Sequence, residues 1–148
     1  MLFDVAVARC HAETGNLREA RAALARAEQW IDSAVTDRPR WAALFCPTQA
    51  SAAHHTAKAL RALGDPVEAE RYLYFSHQVW DAQTHTRIRA ISAAEVGLLR
   101  WRNGDYVGAA NMWRSAAPIL STVSSDRAAK QLAKIRRHAP ELVGGAVT

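Results

Sequence analysis

Cysteine is nearly missing from this 148-residue chain: only Cys10 and Cys46 occur. That excludes a disulfide scaffold and a four-cysteine zinc site, and it points to a reducing, cytoplasmic setting. No apolar run approaches the roughly 20 residues that a bilayer span needs, so no membrane protein is expected. The opening Met1-Leu2-Phe3-Asp4 lacks a basic stretch followed by an apolar one, so no secretory signal is expected. No segment alternates apolar and polar residues between turn pairs, which argues against strands. There is no Gly-x-Ser-x-Gly elbow, no phosphate-binding glycine loop and no paired carboxylates in a recognisable setting, so an enzyme is not expected. Cys10 beside His11 is adjacency in sequence, which does not make a nucleophile and its base.

What is present is globular and helical. Hydrophobic residues make up 49% and charged residues 22%, which excludes disorder. A chain this long buries roughly two-thirds of its unfolded surface, enough for a core without staples. Long stretches rich in Ala, Leu, Arg and Glu contain neither glycine nor proline, and these residues lose little side-chain entropy in a helix. Leu17, Ala20, Leu24, Ala27 and Ile31 step by three or four and make one apolar stripe. Tyr106, Ala109, Ala110, Trp113 and Ala117 make another. Helices are expected at 2–14, 17–33, 48–63, 66–80, 86–102, 106–117 and 126–138. Pro118 should end or kink the sixth. Residues 1–140 read as one domain and 141–148 as a flexible tail around Gly144-Gly145. The Val35–Pro47 connector carries Trp41 and Phe45, so it is expected to pack rather than float.

Three of the breaks between helices are alike. They read Thr14-Gly15-Asn16-Leu17, Leu63-Gly64-Asp65-Pro66 and Asn103-Gly104-Asp105-Tyr106. In each, glycine can take the left-handed conformation that closes one helix, and the following Asn or Asp can cap the next. Pro66 falls at a first helical position, where its missing N–H costs nothing. Beyond each glycine the same series follows: Ala20 and Leu24, Ala69 and Leu73, Ala109 and Trp113. The joints are a repeat, and joints this short make neighbouring helices antiparallel. The glycines lie further apart than a fixed 34-residue period allows, with the extra length in the connectors.

This pattern resembles the tetratricopeptide repeat. The glycine–Asp/Asn joint, the small alanine at a close helix crossing and the bulky residue four positions later match its second-helix motif. The first-helix motif is degenerate: Val96, Gly97 and Leu99 fit best, with Ala8 and Ala57 as the small residues of the other copies. The chain also resembles the C-terminal repeat region of actinobacterial helix-turn-helix (Xre-type) transcriptional regulators. The residues that suggest it are Arg40-Trp41-x-x-x-Phe45, Ala53-x-x-x-Ala57, Leu60-x-x-Leu63-Gly64-Asp65-Pro66-x-Glu68-Ala69-Glu70 and Arg87-Ile88-Arg89. The DNA-reading domain of those regulators has no match here. The resemblance implies an all-α, tetratricopeptide-like solenoid of three helix pairs with a capping helix. It also implies a non-catalytic sensing or protein-interaction role, often with self-association.

In such a solenoid the first helix of each pair lines the concave face. That placement puts Arg9 and Glu13, then His54, His55, Lys58 and Arg61, then Glu95 and Arg102 in the groove. His54, Lys58 and Arg61 share one helix face, and such a cationic strip can hold a peptide carboxylate or a small acidic ligand. An ordinary solvated helix face is the equally weighted alternative. A structural homodimer without ligand is the alternative function. No cofactor is implied. His54 and His55 point a quarter-turn or more apart and no ligand spacing such as His-x-x-x-His is present, so no metal site is expected.

The net charge is +5, with a pI near 9.8. Arginine outnumbers lysine, as GC-rich codons would produce, so the excess by itself is weak evidence for an anionic partner. Arg127, Lys130, Lys134 and Arg137 form a basic stripe on the last helix. A solubilising cap explains that stripe better than a phosphate contact, since no aromatic residue is interleaved for base stacking. Direct nucleic-acid binding is therefore not expected without a helix-turn-helix domain. Ala128, Leu132, Ile135 and Ala139 run along a different face, suited to packing on the preceding hairpin. Trp113 takes a core position. Trp30, Trp80 and Trp101 lie near helix ends, where they can pack connectors or meet a partner. The run Tyr72-Leu73-Tyr74-Phe75 is apolar all round its helix, which suits a central helix or an interface.

Overall fold

In the computed structural model, residues 2–32 and 48–143 are described, and among them every regular element is helical. The helices are α1 (Leu2–Glu13), α2 (Leu17–Asp32), α3 (Thr48–Ala62), α4 (Pro66–Val79), α5 (Thr86–Arg102), α6 (Tyr106–Thr122) and α7 (Asp126–His138). A single 3-10 turn, Pro140–Leu142, follows α7. The expected packing of the Val35–Pro47 connector through Trp41 and Phe45 lies outside the described residues, as does the side chain of Trp30.

The three joints have one geometry. Gly15, Gly64 and Gly104 have φ of 79°, 81° and 85°, in the region where a side chain is strained. Each glycine N–H bonds back to the carbonyl three residues earlier: Ala12, Arg61 and Trp101. The next N–H reaches five residues back, to His11, Leu60 and Arg100. These two bonds satisfy helix-end carbonyls that would otherwise lack donors. Asp65 and Asp105 then cap the following helices by accepting from Glu68 N (3.1 Å) and Gly108 N (2.8 Å). Asn16 caps with its backbone alone: its carbonyl accepts from Ala20 N at 3.0 Å. Ala20, Ala69 and Ala109, all fully buried, sit at the same step past each glycine.

The chain divides into two compact units, Met1–Val79 and Trp80–Thr148. In the N-terminal unit α1 pairs with α2 and α3 with α4, while α1 and α2 both pack on α3. The centre is a cluster of Ala8, Ala23, Leu24 and Ala59, flanked by Val7, Leu60 and Leu63. Small side chains at helix crossings let the axes approach closely. Across helices, Tyr72 of α4 donates to the Glu28 carboxylate of α2 at 2.5 Å, and Ser76 Oγ donates to the Ala50 carbonyl at 2.7 Å.

In the C-terminal unit α5 and α6 form the hairpin, and α7 packs on both. Trp113, with no exposed surface, fills the centre. Its indole lies over Gly97, where a Cβ would collide with the ring, and its Nε1 donates to the Ala94 carbonyl at 3.1 Å. Gly97 is thus required by contact rather than by backbone angle. Trp101 joins the same cluster, with its ring centroid 4.6 Å from Tyr106, 5.5 Å from Trp113 and 5.3 Å from His138. It closes the end of the hairpin at the joint.

The sixth helix departs from expectation. Pro118 lies inside α6, which runs on to Thr122 instead of stopping. The ring removes one N–H, but buried Ala117 and Leu120 hold the last turn in the core. The Ser121 and Thr122 hydroxyls also donate to the Pro118 and Ile119 carbonyls at 2.7 and 2.9 Å.

Candidate functional site

Helix α3 is nearly enclosed by its unit. Ala50, Ala52, Ala53, His54, Thr56, Ala57 and Ala59 are buried; besides exposed Gln49 and half-buried Leu60, one line stays open: half-buried Ser51, His55 and Lys58, then exposed Ala62. These step by four, three and four along one helix side, and exposed Arg61 stands beside them. His54 lies under the line, 8% exposed, with its ring edge-on to His55 at 5.6 Å. His55, rather than His54, therefore shares the open side with Lys58. Helices α1, α2 and α4 all pack on α3, and which of its sides they leave open is not fixed by helical spacing alone. On α1, Arg9 and Glu13 pair with each other at 2.7 Å.

The two groove residues expected further on belong to the C-terminal unit. Glu95, with 15% of its side chain exposed, accepts from Arg127 at 3.3 Å and from Gln131 Nε2 at 3.2 Å. It is engaged in bracing α7 on α5. Arg102 is exposed at the end of α5. Buried Gln131, which sequence reasoning passed over, lies among the small and apolar residues of α7's inner face, beside fully buried Ala128 and nearly buried Ile135.

Two further features had no signal in the sequence. The turn into α5 is closed by Asp81, whose carboxylate accepts from Thr84 N (2.6 Å) and Gln83 N (3.0 Å). The Thr84 bond above all holds this carboxyl below the ordinary aspartate range. In the same turn Trp80 and His85 face each other at 5.1 Å, and Trp80 Nε1 and His85 Nδ1 are buried without a hydrogen-bond partner. In the N-terminal unit, Thr56 Oγ1 is likewise buried and unbonded.

Chemically, the α3 line offers a hydroxyl, an imidazole, an ammonium and a neighbouring guanidinium, all able to donate to a carboxylate. Among the described residues no three His, Cys, Asp or Glu side chains gather where they could hold a metal ion. No helix among them is long and apolar enough to cross a membrane. The fold is thus that of an all-α protein built from short helical hairpins. Comparison with known proteins finds no matching family model, and neither curated proteins nor solved structures give a match.

Proposed function

We propose that the three hairpins are degenerate copies of a tetratricopeptide-like unit, closed by α7 as a cap. We propose further that the chain is a non-catalytic binding module, the sensing or protein-interaction part of a transcriptional regulator. Its ligand is an acidic peptide or small carboxylate, held by His55, Lys58 and Arg61 on α3. The joints support the first part, since the same two backbone bonds and the same buried alanine recur at each. The second part rests on one observation. Among the described residues of this largely buried helix, a half-buried line carries the donors Ser51, His55 and Lys58, with exposed Arg61 beside it.

The test is thermal unfolding of the full chain with short peptides ending in Asp or Glu. A bound peptide at a hundred times its Kd stabilises by about 2.7 kcal/mol. The shift is expected to vanish in Lys58→Ala/Arg61→Ala and to persist in Arg102→Ala. A shift untouched by the double substitution rules out the α3 line. A second reading, a homodimer without ligand, draws on Phe75, which is 41% exposed on α4. That reading expects a concentration-dependent dimer by light scattering, lost in Phe75→Ser.

A further inference from the structure

The unit boundary divides the charge unequally. Residues 1–79 hold nine basic and nine acidic side chains, whereas residues 80–148 hold ten and five. The whole net charge of +5 therefore belongs to the C-terminal unit. Half of its basic residues are on α7: Arg127, Lys130, Lys134, Arg136 and Arg137, opposed on that helix only by Asp126. All five are exposed. Arg127 is engaged with Glu95. Lys130, Lys134, Arg136 and Arg137 have no ion-pair partner among the described residues.

Neither of two simpler reasons accounts for this face. Cations in the last turn complement the helix dipole, which covers Arg136 and Arg137 but not Lys130 in the second turn. A solubilising cap needs polarity, which mixed signs supply, as on α2 with Arg18, Arg21, Arg26 and Glu28 exposed. Here five exposed cations meet one acid, Asp126, at the N-terminal end of the same helix side, and like charges along one helix side repel.

We propose that the outer face of α7 binds the phosphate backbone of a nucleic-acid duplex. Lys130, Lys134 and Arg137 lie on one side of the helix and span about 10 Å along it at 1.5 Å per residue. That is the axial distance of about three phosphates on one strand. The exposed uncharged residues beside these cations are Ala129 and Ala133, small enough to let a backbone approach. The same composition disfavours other occupants. A protein partner is anchored by buried aromatic or large apolar residues, and lysine is depleted at such contacts. A membrane surface needs large apolar side chains to insert, and those of α7 are drawn into the unit: Ile135 is buried and Leu132 half-buried, while only alanines are exposed. Contact of this kind follows shape and charge rather than base sequence.

The full chain is titrated into fluorescently labelled DNA and RNA duplexes of arbitrary sequence, with anisotropy as the readout. About three released counterions predict an affinity that falls about fortyfold between 50 and 200 mM salt. In Lys130→Ala/Lys134→Ala/Arg137→Ala that dependence should shrink to about fourfold or less, with helicity by circular dichroism unchanged. Should the triple variant lose helicity, Lys134→Ala alone replaces it and should remove about one counterion from the slope. Arg18→Ala/Arg21→Ala, which removes two exposed cations of the other unit, should bind duplexes as the parent does. Three results overturn the proposal: no binding to either duplex at 50 mM salt, a salt slope that the α7 substitutions leave unchanged, or an α7-dependent affinity for poly-glutamate as high as for the duplexes, which would assign the face to an acidic protein.

Discussion

Residues 1–79 and 80–148 use the same glycine joint, yet they fill and charge their interiors and surfaces differently. In the N-terminal unit the buried apolar residues larger than alanine, among those described, are Val5, Leu24 and Leu73. In the C-terminal unit Trp113, Leu120, Ile135, Met112 and several others take those places. The first unit is balanced in charge and the second carries the whole excess. A shared joint thus fixes how a hairpin turns without fixing what it packs or what it presents. Alanine at a crossing brings backbones close and leaves little volume to lose. A tryptophan over a glycine makes one side chain responsible for much of the core.

That contrast is testable first at Trp113. Trp113→Ala removes a fully buried indole and is expected to cost about 3–5 kcal/mol in urea unfolding. Gly97→Ala, which drives a methyl into the same ring, is expected to cost about 1–3 kcal/mol. Combined, the two should cost less than their sum, because the methyl no longer meets the indole. Strict additivity would mean that the ring does not press on Gly97.

The caps probe what the units share. Asp65→Ala and Asp105→Ala each remove one carboxylate bond to a helix N–H and should cost a similar amount, about 1 kcal/mol. Asn16→Ala should cost only a few tenths, because there the backbone alone closes the turn. An Asn16→Ala loss equal to the aspartate losses would show that the three joints are held in the same way after all.

The smallest effect is expected at Asp81 and concerns the C-terminal unit alone. Its carboxyl is held below the ordinary range by the Thr84 and Gln83 N–H groups. A depressed folded-state pKa contributes stability above the unfolded value of about 3.9, and that contribution is lost as pH falls through the folded value. Acid titration of Asp81→Asn by circular dichroism should therefore show a shallower loss below about pH 4 than the parent. Identical acid limbs would remove Asp81 from the account.

Much of the fold could be read from residue order. Propensity and the stepping of Leu17, Ala20 and Leu24 placed the helices, and Gly15, Gly64 and Gly104 placed the joints to within a residue or two. Pro118 misled, since a proline rule is local and the last turn of α6 is kept by Ala117 and Leu120 in the core. The candidate site was read less well. Helical spacing grouped His54 with Lys58, but burial beneath the neighbouring helices leaves His55 as the open partner. Glu95 was assigned to a groove; the structure adds bonds from Arg127 and Gln131 of α7, which periodicity did not signal. Neither Trp80 beside His85 nor the bonds of Asp81 follow any periodicity.

The end of α6 was decided by its core, but by itself the order of residues determined where helices begin, where most of them end and how three hairpins turn. Those outcomes depend on φ preferences, capping groups and side-chain entropy within a few residues. Tertiary structure alone decided which side of α3 stays open, which acid braces α7 and why position 97 must be glycine. Those outcomes depend on which surfaces bury one another, and burial is a property of helices far apart in the chain.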